Sequence, residues 1–547
     1  MPTINIKKKY LFKLLGKKIP ESVLLDRISM MGTALEGETK DELVIELFPN
    51  RPDMLSVEGF ARGLSCFMGI RRNPPSYSIK KSGLKVKIDP SVKKVRPFIK
   101  CGLVKNVNLK DEAIKSLMQV QEKLHQTHGR KRKRVAIGVH DFDKMKFPLL
   151  YKAVPPDSCS FVPLGDRRRL TLEQILKKSQ KGQQYAWILE EAKNYPLLVD
   201  ADENVMSFPP VINGELTAVT EKTRNIFVDV TGTDELAVGQ ALTIIVTTLA
   251  DMGGKIYSVR TGNQLTPNLA PSKIPVKLNY VNSLLGLSLK KSALKRLLAK
   301  MGLGYNGKNA IIPAYRVDMI HPIDVVEDIA IAYGYENFEP VLPTISTIGE
   351  ESKSEVFYRH VSEIMAGLGF LETSTFHLAS YSDIKTKMNH KISYVEIANS
   401  VSSEYYILRP WLLPLQIKIL AENKTREFPH RIFEIGTIFL PDAGEETKIL
   451  ERKSIAVAIA DKASDFTKIK QVLDVIMSAL RVKYSMAESD HPSFIPGRAA
   501  SVLINGKKAG YIGELSPAVL SNWQLETPVC CMELDIDAIR AIAQKQG

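Results

Sequence analysis

The sequence predicts a multidomain α+β protein. Three observations carry this. Its 547 residues exceed what one hydrophobic core serves and suggest three to five domains. Segments with a helical apolar period are interleaved with segments of alternating polarity along the whole chain. A proline-rich stretch, TPNLAPSKIPVKL from Thr266, interrupts them like a linker. With 44% hydrophobic and 25% charged residues, the chain has a globular composition and can bury sizeable cores.

Residues 1–85 begin with the strand-like TINI, a short basic helix and a second helix, PESVLLDRISMMG. The alternating strand ELVIELF and the turn PNRPD follow, then helical spacing from Met54 to Met68. This reads as a compact α+β unit, with Arg51 and Asp53 paired to brace the turn. LKVKIDP, near Leu84, starts a new strand. Residues 86–265 hold a helix over 110–128, the strand VAIGVHD with a polar turn after it, and a strand-rich stretch from Ala186 to Val259. The long apolar helix ALTIIVTTLADMG packs on that sheet, giving a mixed α/β domain. SFPPVINGEL and DVTGTD read as polar turns at strand ends, able to line a small pocket or to be simple turns.

Residues 270–345 read as two short helices and an acidic third, a small winged or helix-turn-helix-like module. In the acidic helix Pro322 suits the first turn, Gly334 stops it, and Val325, Val326, Ile329, Ala332 and Tyr333 form its apolar stripe. Asp324, Glu327 and Asp328 share one face, with Asp318 just before, and like charges at that spacing repel. Either a hard cation such as Mg2+ neutralises them, or they are a solvated acidic face. Residues 346–547 alternate helices and strands, predicting an antiparallel sheet with flanking helices.

A net charge of +15 suggests a polyanionic partner, most simply nucleic acid. Five cysteines without CxxC pairs argue against a disulfide framework or structural zinc and for a reduced, cytosolic setting. The first residues lack the apolar core of a signal peptide, and no run approaches a membrane span. GxxxxGK[ST], GxSxG and HExxH are absent. HDFD at His140 reads as a turn after a strand in preference to a metal site. GRKRKR, residues 129–134, either contacts phosphates or is a solvated or subunit-facing patch.

Five segments in order, NRPDMLSVEGFAR (50–62), RKRKRVAIGVHD (130–141), SFPPVING with VDVTGTD, YRVDMIHPIDVVEDIAIAYGY (315–335) and NSVSSEYYILRPWLLP (399–414), resemble the beta subunits of phenylalanyl-tRNA synthetase in their shorter archaeal and eukaryotic form. The resemblance spans nearly the whole chain. It implies a B1-like N-terminal domain (1–85), a B3/B4 editing-type domain (86–265), a B5 domain (270–345) and a non-catalytic class II synthetase-like domain (346–547). It implies an α2β2 tetramer in the cytoplasm, whose alpha subunit binds ATP and phenylalanine and charges tRNA(Phe), while this subunit scaffolds the tetramer and hydrolyses mischarged Tyr-tRNA(Phe). The matching positions Asp318, Asp324, Glu327 and Asp328 would bind Mg2+ in a site shared with the alpha subunit. Ser207, Asp229 and Thr231 would line the editing pocket, with Leu198 nearby. Asp229 would accept the tyrosine hydroxyl or merely brace a turn. HRIFEIGTIF from His430 looks like a remnant of the second class II motif, and no GxGxxR third motif precedes the last strand. The family's long bacterial form has an OB-fold insertion and a C-terminal extension that find no match here. A stand-alone nucleic-acid-binding or editing protein is the second reading, and the acidic helix, needing ligands from elsewhere, separates the two.

Overall fold

The computed structural model describes residues 2–345 and 347–544. It falls into two compact units, Met1–Val341 and Leu342–Gly547. The first opens with a three-stranded antiparallel sheet in which Glu42–Glu46 lies between Thr3–Lys7 and Ala34–Glu38. Ala34–Glu38 escapes the sequence reading because it is an edge strand with no fully buried position, so its polarity does not alternate. The helices Lys8–Leu15, Glu21–Met30 and Val57–Phe67 follow the expected periodicity. Ser56 caps the last of these, its hydroxyl accepting from Gly59 N at 2.9 Å. Val57–Phe67 is buried almost throughout, since its far side meets the next layer: Arg62 pairs with Asp251 at 2.7 Å, and Val57 N donates to Ser116 Oγ at 3.1 Å.

That layer is a ten-stranded sheet. Its order is Ile212–Asn213, Val205–Phe208, Tyr195–Val199, Leu149–Val154, Ile79–Ile88, Lys255–Thr261, Phe98–Lys105, Ile226–Gly232 and Val135–Asp141, with Gln264–Thr266 on Lys255–Thr261. Only Ile79–Ile88 pairs in parallel, on both its edges. Ile226–Gly232 is buried along its whole length between two strands. The segment read as the turn DVTGTD is therefore strand as far as Gly232. Asp234 then caps the helix Glu235–Asp251 by accepting from Ala237 N at 2.9 Å. Val and Thr favour the pleated surface, and pairing on both edges overrides the turn tendency of the aspartate and glycine.

The proline-rich stretch is not wholly a linker. Ser272–Pro275 forms a strand on Asn309–Ile312, which also pairs with Gly304–Tyr305, and Ile274 and Val276 are buried. An edge strand tolerates its terminal proline. With the helices Leu278–Leu285, Lys291–Lys300 and Pro322–Tyr333 this makes the expected winged module. One apolar cluster runs from Ile4 and Leu64 through Val228 and Leu249 to Leu298 and Ile329, so the three modules of this unit share a core.

In the second unit a seven-stranded sheet runs Leu371–Glu372, His430–Pro441, Ile449–Ala460, Val529–Asp535, Lys507–Leu515, Phe494–Ile504 and Ser485–Glu488. All but its first pairing are antiparallel, as the alternation predicts. The helices Lys353–Gly367, Phe466–Ala479 and Ile536–Ala543 contribute to one apolar cluster, and Leu413–Glu422 and Pro517–Asn522 to another. No helix among the described residues is long and apolar enough to cross a membrane.

Candidate functional site

Ser207, Asp229 and Thr231 line one cavity of about 320 Å³ in the first unit. Ser207 stands opposite Asn213 in the hairpin of Val205–Phe208 with Ile212–Asn213, and its hydroxyl donates to Asn213 Oδ1 at 3.2 Å. Asp229 and Thr231 are two apart on one strand, hence on one face. Leu198 does not join them. It lies opposite Ser207 in the ladder but is fully buried in an apolar cluster with Tyr151, Met206 and Phe227. A leucine on an inner strand gains more from that core than from a polar cavity.

Asp229 is buried within its strand and braces no turn. Its Oδ1 lies 2.7 Å from His140 Nε2, and His140 Nδ1 lies 2.7 Å from Thr217 Oγ1. Among the described residues no donor bonds the other oxygen of Asp229, so one acceptor of a cavity-lining carboxylate stays available. Gly138 faces Asp229 across the ladder, and a Cβ there would stand 2.1 Å from Asp229 Oδ1. Glycine is thus required by close approach. His140, weighed from sequence as a turn residue, is a buried strand residue that orients this carboxylate. The turn after it is built instead by Asp141, which accepts from Asp143 N at 3.2 Å and from Thr223 Oγ1 at 2.9 Å.

Three further residues shape the cavity, and sequence reasoning assigned none of them there. Buried Arg96 donates to Thr231 Oγ1 at 2.9 Å and to Thr231 O at 2.8 Å. Burial pushes its guanidinium down to about 10, against the pull of Tyr151 and Asp229. Arg132 lines the cavity, donates to Val211 O at 2.9 Å, pairs with Glu122 at 3.2 Å and stacks over Tyr185 at 4.3 Å. His125 also lines it. Ile137 N donates to His125 Nε2 at 2.8 Å, which leaves the proton on Nδ1, and Nδ1 lies 3.6 Å from Glu122 Oε2 with no hydrogen-bond partner among the described residues. Burial pushes this imidazole down to about 4, opposed by Glu122, so it is neutral at pH 7. The arrangement offers one carboxylate acceptor, two hydroxyls and a neutral imidazole in a small partly apolar space, which suits an aromatic side chain bearing a hydroxyl.

The four carboxylates of the acidic segment have different fates. Arg316 reaches two of them, with Nη2 at 2.8 Å from both Asp318 Oδ2 and Asp328 Oδ2. Asp324 caps its own helix, its Oδ2 accepting from Ile320 N at 2.8 Å and His321 N at 2.7 Å. Glu327 is exposed and has no ion-pair partner among the described residues. The acidic face is therefore not wholly free, because Asp328 points into the protein. Arg316, two residues before Asp318, supplies positive charge that the sequence reading assigned to a cation. The Asp328 Oδ2 contact is ionic without hydrogen-bond alignment, and burial pushes this carboxyl up to about 6 despite Arg316. Oxygen donors of this kind, one buried and incompletely satisfied and one exposed, fit a hard cation. Among the described residues no three His, Cys, Asp or Glu side chains converge as ligands, so these side chains alone do not make a complete cation shell.

The NRPD turn meets this segment. Arg51 donates to Asp53 Oδ1 at 2.8 Å and Oδ2 at 3.0 Å, the brace expected from sequence. Arg62 stacks over Tyr315 at 3.9 Å, and Arg316 adds its pull on Asp53 to that of Arg51. In the second unit Arg409 is consumed by a buried pair with Glu434 at 2.7 Å and by Thr375 Oγ1 and Thr437 O. Glu533, pushed up to about 7 by burial, accepts from Leu412 N and Leu413 N at the start of the helix Leu413–Glu422.

Four family models match in order. They are the "Phe-tRNA synthetase beta subunit B1 domain" at 1–70, the "B3/4 domain" at 104–245, the "tRNA synthetase B5 domain" at 274–335 and the "Phenylalanyl tRNA synthetase beta chain CLM domain" at 339–536. The phenylalanine–tRNA ligase beta subunit of Pyrococcus abyssi is 40% identical over 549 residues, covering 98% of this chain and 99% of that one. That of Methanocaldococcus jannaschii is 40% identical over 551 residues, covering 98% and 100%. A crystal structure of an N-terminal fragment of the Pyrococcus horikoshii phenylalanyl-tRNA synthetase beta subunit matches with a TM-score of 0.59 and 38% identity, over 61% of this chain and 99% of the fragment.

Proposed function

The chain belongs to the family of phenylalanine–tRNA ligase beta subunits, and from that premise we propose that it scaffolds an α2β2 tetramer in the cytoplasm and hydrolyses tyrosine mischarged onto tRNA(Phe). In this reading the alpha subunit binds ATP and phenylalanine and forms Phe-tRNA(Phe). The C-terminal unit takes no part in the chemistry. Its sequence has no GxGxxR third motif before the last strand to stabilise a developing phosphate anion.

The observation that carries the hydrolytic reading is the Asp229 carboxylate, held at one oxygen by His140 and open at the other toward a cavity with Ser207 and Thr231. A tyrosine hydroxyl donates to that open oxygen. Phenylalanine would bury it unpaired, and a site built on such a bond rejects the analogue lacking the hydroxyl by a factor of ~10^4. With the side chain so held, a water adds to the ester carbonyl, the bond to the ribose oxygen breaks, and that oxygen takes up a proton. No covalent enzyme intermediate is involved.

Mg2+ would be held by Glu327 and Asp328, with Asp318 and Asp324 completing the acidic set and the alpha subunit supplying the other ligands. Bound there, it would supply a positive charge that offsets these carboxylates. In the reconstituted complex Asp229→Ala should slow Tyr-tRNA(Phe) hydrolysis by about 10–100-fold, the worth of a hydrogen bond to a charged group. Phe-tRNA(Phe) formation should be intact. Unchanged Tyr-tRNA clearance would remove Asp229 from the site.

A further inference from the structure

The basic loop 129–134 is built with unusual backbone geometry. Arg130, Lys131 and Arg132 all have positive φ, at 48°, 53° and 68°. Side-chain-bearing residues rarely adopt this conformation, and three in succession persist only when surroundings impose it. Those surroundings are visible. Arg132 N donates to His125 O at 3.1 Å and Arg134 N to Gly129 O at 2.9 Å. Arg96, the guanidinium that holds Thr231, also donates to Arg132 O at 3.2 Å and Lys133 O at 3.1 Å. The Arg132 side chain turns inward to form cavity wall.

The consequence is a sorting of charge. Arg132 is buried and paired, while Arg130, Lys131 and Lys133 are exposed and have no carboxylate partner among the described residues. Lys181 lines the cavity from another segment, and Arg167, also exposed and unpaired, lies three residues beyond the lining residue Leu164. A cavity of about 320 Å³ holds an aminoacyl group, not the nucleotides that carry it. The chain of phosphates attached to the ester must therefore leave the cavity, one wall of which is Arg132 of this basic loop.

We propose that Arg130, Lys131 and Lys133 form a phosphate-binding rim that guides the single-stranded 3′ end of the charged RNA into the cavity. This rests on the hydrolytic reading of that cavity. Buried Arg96 ties rim to cavity, because one guanidinium holds both the loop carbonyls and Thr231.

The test uses the αβ complex with tRNA(Phe) charged with tyrosine, comparing wild type, the triple variant R130Q/K131Q/K133Q, and the control K9Q/K13Q/K17Q, which removes equal charge from the N-terminal helix region. Contacts to single-stranded phosphates each contribute about 0.7 to the salt slope. The rim variant should flatten the dependence of log(kcat/KM) on log[salt] by about 2 and raise KM about tenfold near 0.15 M salt, with kcat unchanged. Loss of kcat at constant KM, or an equal change in the control, would overturn the rim. So would a KM and slope like wild type. If the wild-type complex does not hydrolyse Tyr-tRNA at all, the hydrolytic reading falls. The rim is then judged by filter binding of uncharged tRNA(Phe), where a slope unchanged in the triple variant overturns it and a flattened one supports it.

Discussion

The cavity and the acidic segment both centre on buried aspartates, and they differ in what neutralises them. At Asp318 and Asp328 the counter-charge is Arg316, two residues from the one and at 2.8 Å from both. At Asp229 the neighbour is a histidine that binds one oxygen and leaves the other facing a cavity. The first arrangement is a structural joint, since Arg316 ties the segment before the acidic helix to the helix itself. In the proposed reading the second receives the tyrosine hydroxyl. Arg316 bonds both oxygens of Asp318, whereas Asp328 keeps an oxygen without an aligned hydrogen bond and Asp229 keeps one without a donor among the described residues.

Breaking the joint should have the largest effect. Arg316→Met leaves Asp318 and Asp328 without their ion-pair partner, with only the more distant pull of Arg51, and should destabilise the first unit by about 3–5 kcal/mol, measured by urea denaturation followed by circular dichroism. A loss below about 1 kcal/mol would mean the joint is not the brace described.

On the cavity side, His125 offers a test through pH. Its folded pKa, pushed down to about 4, lies below the ordinary histidine value near 6.5. The unfolded chain therefore takes up a proton first as pH falls. The stability contributed by neutral His125 is fully present above about 6.5 and is lost progressively toward pH 4, by about 3 kcal/mol. His125→Gln should flatten that part of the stability profile, and a variant profile parallel to wild type from pH 7 to 4.5 would contradict the assignment.

The smallest effect should come from Glu327. Exposed and unpaired, it contributes within about 0.5 kcal/mol to the stability of the isolated chain, so Glu327→Gln should unfold like wild type. In a Mg2+ titration of subunit assembly the same variant should need more metal. Assembly insensitive to both the substitution and Mg2+ would leave Glu327 as plain surface.

Much of the architecture was legible from short stretches. Helical period predicted Val57–Phe67, Glu235–Asp251 and Pro322–Tyr333, and alternation predicted the sheet of the second unit. Arg51 and Asp53 were read as a brace from their spacing, and the same Arg-x-Asp spacing at Arg316 and Asp318 held an equal signal that the surrounding carboxylates obscured. Asp229 and Thr231 fall both in IFVDVTG, read as strand-rich, and in DVTGTD, read as a polar turn at a strand end, and ladders on both edges keep them in the strand. Leu198, placed near the pocket by the family resemblance, lies opposite Ser207 in the ladder but packs into an apolar cluster.

By itself, the sequence determined most of the helices and the alternating strands, because these depend on periodicities of two to four residues, while the order of modules and the candidate site residues came from the family resemblance. Only the tertiary structure decided which aspartate is braced and which is open, and how a basic loop divides into wall and rim. His140 meets Asp229 across 89 positions and Arg96 meets Thr231 across 135. Coulombic and hydrogen-bonding partners at such separations are chosen by how sheets and helices pack, and local spacing carries no record of that choice.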